Sequence, residues 1–202
     1  WHYRNNGSFE LGTAEGGRKI FLMGMNYLSE YMNSRDALNY YYLHTIHHEF
    51  THILHQTVEF STAYQLITSD YKSDKCFNKE FADFLSRGFI TDYAQKNYHE
   101  DFAEMVSTYV TSTADEWEAL MKKAEYGVLK DKNGDFVVDS EGSVKIDTKV
   151  KADGRDLIEQ KLSIVRSYMQ DQWGIDIDEL RASILQREND VVNGKIDLKN
   201  LD

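Results

Sequence analysis

The chain has 202 residues, of which 41% are hydrophobic and 28% are charged, and its formal net charge at pH 7 is −11. These values predict one globular domain over residues 1–202, and the acidic surplus argues against nucleic-acid binding, which needs clustered Lys and Arg. It argues equally against an anionic membrane surface, and no run approaches the roughly 18 apolar residues of a transmembrane segment. Because the chain opens on Trp1 and not on Met, we expect a trimmed N-terminus, with any targeting segment outside the sequence.

The first elements are a pair of strands and a long helix. Residues 7–12 and 18–23 are predicted to be strands, and a turn signal at Glu15-Gly16-Gly17 precedes the second. Ser34 is a good N-cap, so a helix is predicted from about residue 35 to about residue 60.

The rest of the chain is predicted to be mostly helical. Helices are expected at residues 75–87, 99–111, 115–126, 153–172 and 176–187, with a loop over residues 89–98. Residues 127–150 differ, because short apolar runs alternate there with turn signals, and they predict a β-hairpin insertion. Its first turn begins like a calcium loop at Asp131, but position twelve of such a loop would be Gly142, so a hairpin turn is the better interpretation.

The first long helix carries an H-E-x-x-H motif at His48-Glu49-Phe50-Thr51-His52. Histidines four residues apart lie about 40° apart around a helix and one turn along it, so both rings can reach one zinc ion. Glu49 is offset by one residue, which suits a general base that takes a proton from a water bound to the metal. Five residues can also match by chance, leaving an ordinary surface helix as the alternative.

Two further observations favour the zinc interpretation. The flanks of the motif are apolar, which predicts a core helix; these residues are Leu38, Tyr42, Ile46, Phe50, Ile53 and Leu54. The helix beginning near His99 carries Glu100 and Glu104 on one face. One of these carboxylates can bind the metal, and the other can accept the far N–H of a ligating histidine. An ordinary acidic first turn is the alternative.

These motifs resemble a known family. H-E-x-x-H followed by Glu100-Asp101-Phe102-Ala103-Glu104 is similar to the gluzincin-type zinc metallopeptidases. With residues 88–94 and 159–176, the chain resembles more narrowly the substrate import-associated zinc metallohydrolase lipoproteins of Gram-negative bacteria. The resemblance implies that Glu100 is the third zinc ligand and that Glu104 supports a ligating histidine. It also implies a lipid-anchored protein of the bacterial cell envelope, periplasmic or surface-exposed, associated with outer-membrane nutrient-import proteins.

A tyrosine and several histidines are further candidates for a role near the metal. Some related zincins place a Tyr seven residues before the third ligand to stabilise the oxyanion, which points to Tyr93, with Tyr98 as competitor and a packed aromatic as the alternative. Four further histidines are expected to line the site without binding the metal; these are His44, His47, His55 and His99.

The sequence therefore predicts an α+β, zincin-like fold with a small N-terminal sheet and a mostly helical remainder. The predicted function is zinc-dependent peptide hydrolysis, with His48, His52 and Glu100 holding Zn²⁺ and with Glu49 and Tyr93 catalytic. The strand at residues 18–23 is expected to pair with an extended polypeptide substrate. A zinc hydrolase of another amide or ester, and a zinc-containing binding module of a nutrient-import system, are the alternatives.

Overall fold

The computed structural model describes residues 11–25 and 34–197. Its strands and helices, in chain order, are β1 (Gly12–Glu15), β2 (Lys19–Leu22), α1 (Arg35–Leu38), α2 (His44–Thr57), α3 (Ala63–Ile67), α4 (Tyr98–Thr111), α5 (Ala114–Ala124), β3 (Tyr126–Val128), β4 (Ile146–Lys151), α6 (Gly154–Trp173) and α7 (Ile177–Val192). The strands form two two-stranded sheets and the rest is mainly helical, so the predicted α+β class is confirmed. None of the helices in these parts of the chain has the length and apolar character that crossing a bilayer requires.

The chain divides into two compact units, one of residues 1–59, 106–112 and 169–202 and the other of residues 60–105 and 113–168. The single domain over 1–202 therefore stays a prediction.

The first unit begins with the β1–β2 hairpin, which pairs antiparallel from Gly12 opposite Leu22 to Glu15 opposite Lys19. Gly16 and Gly17 have φ values of 58° and 65°, which glycine adopts readily, and they reverse the chain. The predicted turn and second strand are confirmed. The described first strand covers residues 12–15, where the two glycines fix the reversal and hence the pairing, and it overlaps the predicted strand at Gly12. Residues 7–10 of the predicted strand lie outside the described residues.

The motif helix is built in three pieces. Ser34 caps α1 as predicted, since its Oγ accepts a hydrogen bond from the Ala37 N–H at 3.3 Å. A wider π turn over Asn39–Leu43 follows, and α2 then runs to Thr57, where Val58 adopts an extended backbone. The helix thus ends three residues before the predicted boundary.

Side chains of the first unit bind the carbonyls at the end of α4. Asn39 Nδ2 donates to the Thr111 carbonyl at 3.0 Å, and Arg181 Nε donates to the Ser112 carbonyl at 2.8 Å. The last carbonyls of a helix have no partner within it, so these bonds fix where α4 ends.

Aromatic rings form the centre of the second unit. Phe60 stacks on Phe102 of α4 with ring centroids 3.9 Å apart, and the rings of Tyr64 and Tyr168 meet Phe102 edge-on. All four residues are buried. This packing holds the N-terminal half of α4, which carries the two predicted carboxylates.

The helix predicted over residues 75–87 is wrong. The segment instead forms short 3₁₀ turns at Ser73–Lys75, Lys79–Phe81 and Phe84–Arg87. Asn78 is extended, and short polar side chains compete with helical hydrogen bonds, which accounts for the break. The predicted stop at Gly88 is confirmed, because its φ is 83°.

Residues 126–151 form an irregular antiparallel ladder. β3 pairs with β4, and isolated bridges join Lys130 to Phe136 and Val138 to Val144. Asp131 Oδ1 accepts from the backbone N–H groups of Asn133 and Asp135 at 2.8 and 3.0 Å, which is the bonding of a turn.

Candidate metal centre

The most buried side chains of α2 are mainly polar. They are Thr45, His48, Glu49, Thr51, Leu54 and His55. The apolar face expected from the sequence is only partly buried, and Phe50 is 43% exposed. Burying imidazole and carboxylate in preference to phenylalanine is unfavourable without a specific partner, so this face of α2 has the character of a functional site.

The two histidines of the motif converge through their Nε2 atoms. His52 Nε2 lies 3.0 Å from His48 Nε2, with the rings edge-to-face at a centroid distance of 4.7 Å. Two nitrogens bound to one tetrahedral zinc at about 2.0–2.1 Å would lie about 3.3 Å apart. The observed separation is within a few tenths of an ångström of that value, so the pair fits zinc.

Glu49 lies on the same helix and is 8% exposed. Its side chain packs against the first residue of β1, because a Cβ at Gly12 would come within 2.6 Å of Glu49 Cγ and 3.0 Å of Glu49 Oε1. The missing side chain of Gly12 thus makes room for the carboxylate.

The start of α4 presents Glu100. Asn97 Oδ1 accepts from the backbone N–H groups of His99 and Glu100, both at 3.0 Å, and so satisfies two donors at the helix start. Glu100 Oε1 accepts from the Tyr93 hydroxyl and from Lys96 Nζ, both at 2.9 Å. A carboxylate has two oxygens, so these bonds through Oε1 are compatible with a metal bond through Oε2.

The surroundings of Glu100 raise the pKa values of both of its partners. Burial, reinforced by the charge of Glu100, raises the pKa of Tyr93 to about 12, so its hydroxyl keeps its proton at neutral pH. Burial works against the charge of Lys96, but hydrogen bonds to Tyr93 and Glu100 outweigh it and hold the pKa of Lys96 above its usual value. Both groups are therefore donors.

Glu104, one turn further along α4, has a different partner. Its Oε2 accepts from Thr91 Oγ1 at 2.7 Å, and Thr91 Oγ1 in turn accepts from the Ala94 N–H at 3.0 Å. The loop that carries Tyr93 is thereby fastened to Glu104.

A buried ion pair lies beside Glu100. Lys161 Nζ of α6 is 2.6 Å from Asp101 Oδ2 and donates to the Gly88 carbonyl at 2.8 Å, and both side chains are fully buried. The Tyr71 hydroxyl also donates to Asp101 Oδ2, at 3.0 Å. Burial raises the pKa of Asp101 to about 6 against the opposing effect of Lys161, and it lowers the pKa of Lys161 against that of Asp101. Asp101 is thus engaged with Lys161 and is a poor candidate for a metal ligand.

Three groups of side chains in the described residues offer ligand atoms within 4.8 Å of one another. They are His48–His52–Glu100, His44–His48–Glu104 and His55–Glu59–His99. The first is the predicted ligand set. In the second, the His44 and His48 rings stack with centroids 6.3 Å apart. The ligand assignment itself stays a prediction.

The two candidate tyrosines and His47 have different neighbours. Tyr98 packs against His99 and Phe60, whereas Tyr93 contacts Glu100, so Tyr93 is the better placed of the two tyrosines. Burial, and secondarily the charge of His44, lowers the pKa of His47 to about 4, so His47 is neutral at pH 7.

Three residues bind the acidic side chains at the start of α4 without having been predicted to do so: Lys96, Thr91 and Lys161. Lys96 lies four residues before Glu100, the helical spacing of an ion pair, and that signal was available. Nothing in the local sequence indicates the roles of Thr91 and Lys161, because their partners lie 13 and 60 residues away.

Comparisons with known proteins agree with this geometry. A family model described as "Putative zinc-binding metallo-peptidase" matches residues 1–178. A crystal structure of a protein from Bacteroides caccae with the same description is similar, with 33% identity and a TM-score of 0.69. The alignment covers 98% of this chain and 64% of that one, so the chain spans under two thirds of the solved relative. No curated protein matches. The match over most of its length shows that the chain belongs to the family that this model describes as "Putative zinc-binding metallo-peptidase".

Proposed function

We propose that the chain is a zinc-dependent metallopeptidase that hydrolyses peptide bonds with His48, His52 and Glu100 as metal ligands. The observation that carries the proposal is the 3.0 Å approach of His48 Nε2 and His52 Nε2 in an H-E-x-x-H helix, with Glu100 offering a carboxylate oxygen in the same group. Two imidazoles and a carboxylate are a common donor set of catalytic zinc sites, which keep one further position open.

A zinc ion held there would lower the pKa of water and polarise the substrate carbonyl. Glu49 is the general base: its carboxylate takes a proton from the attacking water and returns it to the leaving amine. Gly12 leaves the room that this carboxylate occupies. A structural metal site has no use for such a carboxylate, which supports an enzyme over a binding module.

Tyr93 is proposed to stabilise the oxyanion. Its hydroxyl already donates to Glu100 Oε1 at 2.9 Å and is therefore close to the ligand set. With its pKa raised to about 12, the phenol keeps its one proton at neutral pH. The hydroxyl would turn this proton from Glu100 towards the negative charge that develops on the substrate oxygen. Glu104 is proposed to support a ligating histidine, since its group with His44 and His48 brings its carboxylate within 4.8 Å of a ring nitrogen of His48.

The proposed substrate is an extended polypeptide that pairs with β2. Within the described residues β2 pairs with β1, and the substrate strand is proposed to pair with its other edge. Gly12 contacts Glu49 and lies opposite Leu22, which brings the end of this hairpin to the general base. Main-chain hydrogen bonds along such an edge give affinity, and side-chain pockets give preference. A cell-envelope location beside outer-membrane nutrient-import proteins is likewise a proposal, and it rests on the family resemblance alone.

The test combines metal analysis with a peptide-library cleavage screen read by mass spectrometry. We expect one zinc per chain and cleavage that a chelator abolishes and zinc restores. Glu49→Gln should keep its zinc, because Glu49 is not a ligand, and should lose about 10²- to 10⁴-fold in hydrolysis. Glu141→Gln, in an exposed turn, is the matched control and should behave as the wild type.

Each alternative has its own outcome in this experiment. Full activity of a zinc-loaded Glu49→Gln protein contradicts the general-base role. Cleavage of esters or other amides without any peptide cleavage identifies a zinc hydrolase of another class. Absence of all hydrolysis, together with saturable glycan binding, identifies a binding module.

A further inference from the structure

A second histidine contact of α2 lies on the far side of His52. His52 Nδ1 is 2.7 Å from His55 Nε2, and the two rings meet edge-to-face with centroids 4.9 Å apart. His55 is 5% exposed and lies three residues after His52, on the same face of the helix. Each ring nitrogen of His52 therefore lies close to a histidine Nε2, that of His48 at Nε2 and that of His55 at Nδ1.

We propose that His55 is a positioning residue that fixes the tautomer and orientation of His52 for metal binding. The inference rests on the proposed zinc site. A ring nitrogen that binds zinc must present a lone pair, and His52 Nε2 is the nitrogen that faces His48. The proton of neutral His52 must then be on Nδ1, where its hydrogen-bond acceptor is His55 Nε2.

The hydrogen bond from His52 also determines the tautomer of His55. If its Nε2 accepts from His52, the proton of neutral His55 is on Nδ1. Metal-binding histidines usually donate their other N–H to a carboxylate, a carbonyl or a water, and this partner orients the ring and increases its basicity. In this chain an imidazole from the next helical turn takes that role.

The hydrogen bond from His52 also limits metal binding by the group formed by His55, Glu59 and His99. While His55 accepts from His52, its Nε2 lone pair is engaged and its Nδ1 carries a proton, so His55 has no lone pair left for a metal. This group therefore cannot bind a second ion tightly in the protein that carries zinc at His52.

The experiment compares zinc affinity in wild-type protein, His55→Leu and His55→Gln, by competition with a chromophoric chelator. Leucine cannot accept a hydrogen bond, and we expect its zinc affinity to fall about 10- to 100-fold. The glutamine carbonyl oxygen can accept the His52 N–H, so His55→Gln should recover most of the loss. Phe50→Leu, on the exposed face of the same helix, is the control and should bind as the wild type.

Two further measurements separate positioning from a purely structural role. The visible spectrum of the cobalt-substituted protein should change in His55→Leu, because the orientation of a ligand changes, and return towards that of the wild type in His55→Gln. Thermal unfolding in chelator reports the stability of each variant without metal. Equal affinity losses in both variants, with equal losses of stability, would overturn the positioning role.

Three other outcomes are decisive. Wild-type affinity in both His55 variants overturns this inference while leaving the proposed function intact. Two tightly bound zinc ions per wild-type chain contradict the tautomers assigned to His52 and His55. If the wild-type protein binds no zinc, the proposed function itself fails.

Discussion

Helices α2 and α4 supply the candidate ligands in different ways. On α2 the spacing of the helix itself brings the side chains together. His48 and His52 are one turn apart, and His52 also contacts His55, three residues further on. On α4 the carboxylates depend on partners outside the helix. Glu100 binds Tyr93 and Lys96, and Glu104 binds Thr91. The imidazole pair is thus set by the spacing of one helix, whereas the carboxylates depend on partners in the segment that precedes α4, and substitutions can test this difference.

The largest effect is expected at the buried pair beside α4. Lys161→Met leaves Asp101 buried without its cation and should destabilise the fold by about 3–5 kcal/mol. Chemical denaturation measures the change, and Lys149→Met, at an exposed strand position, is the control with little expected effect.

The double variant Lys161→Met/Asp101→Leu distinguishes charge from packing. Because it removes both charges, part of the lost stability should return. If the double variant is as unstable as the single one, the lysine acts mainly through packing and through its bond to the Gly88 carbonyl.

The second prediction sharpens the account of α4. Glu104→Ala should weaken zinc binding about 10- to 100-fold, as expected for a residue that supports a ligand without binding the metal. Thr91→Val removes only the hydroxyl that donates to Glu104 and should cost less than tenfold. Competition with a chelator measures both, and an unchanged affinity in Glu104→Ala would reduce Glu104 to a fastening point for the Thr91 loop.

An effect smaller than that of Glu104→Ala is expected on the α2 side. In Gly12→Ala the new Cβ would lie 2.6 Å from Glu49 Cγ and 2.9 Å from Thr45 Cγ2, so the general base must shift. We expect peptide hydrolysis to fall about tenfold with zinc affinity unchanged, because misplacing a catalytic group slows the reaction. Thr13→Ala in the same strand is the control. A loss of zinc in Gly12→Ala would show that the strand supports the histidines and not the base.

Whether a feature could be predicted from the sequence depends on whether it is set by local spacing or by distant contacts. The H-E-x-x-H helix, its Ser34 cap, the β2 strand and the stop at Gly88 were predictable because each rests on local spacing or on a local backbone preference. The helix predicted over residues 75–87 failed because turn-forming side chains overrode a weak helical pattern.

Long-range contacts account for what the sequence did not show. No periodicity indicates that Lys161 is fully buried against Asp101, or that Thr91 fastens Glu104. The burial of the polar face of α2, with Phe50 left outside, was also not predictable from hydrophobic pattern alone, because that pattern places phenylalanine inside.

The π turn at Asn39–Leu43 has a consequence for how chain length can vary. Such a turn holds one residue more than an α-helical turn, so losing one residue there restores a continuous α-helix and keeps the buried faces of α1 and α2 in register. Losing one residue between His48 and His52 instead rotates the second ring by about 100° away from the first. The three consecutive tyrosines at positions 40–42 thus form a segment where length can change, directly beside one where it cannot.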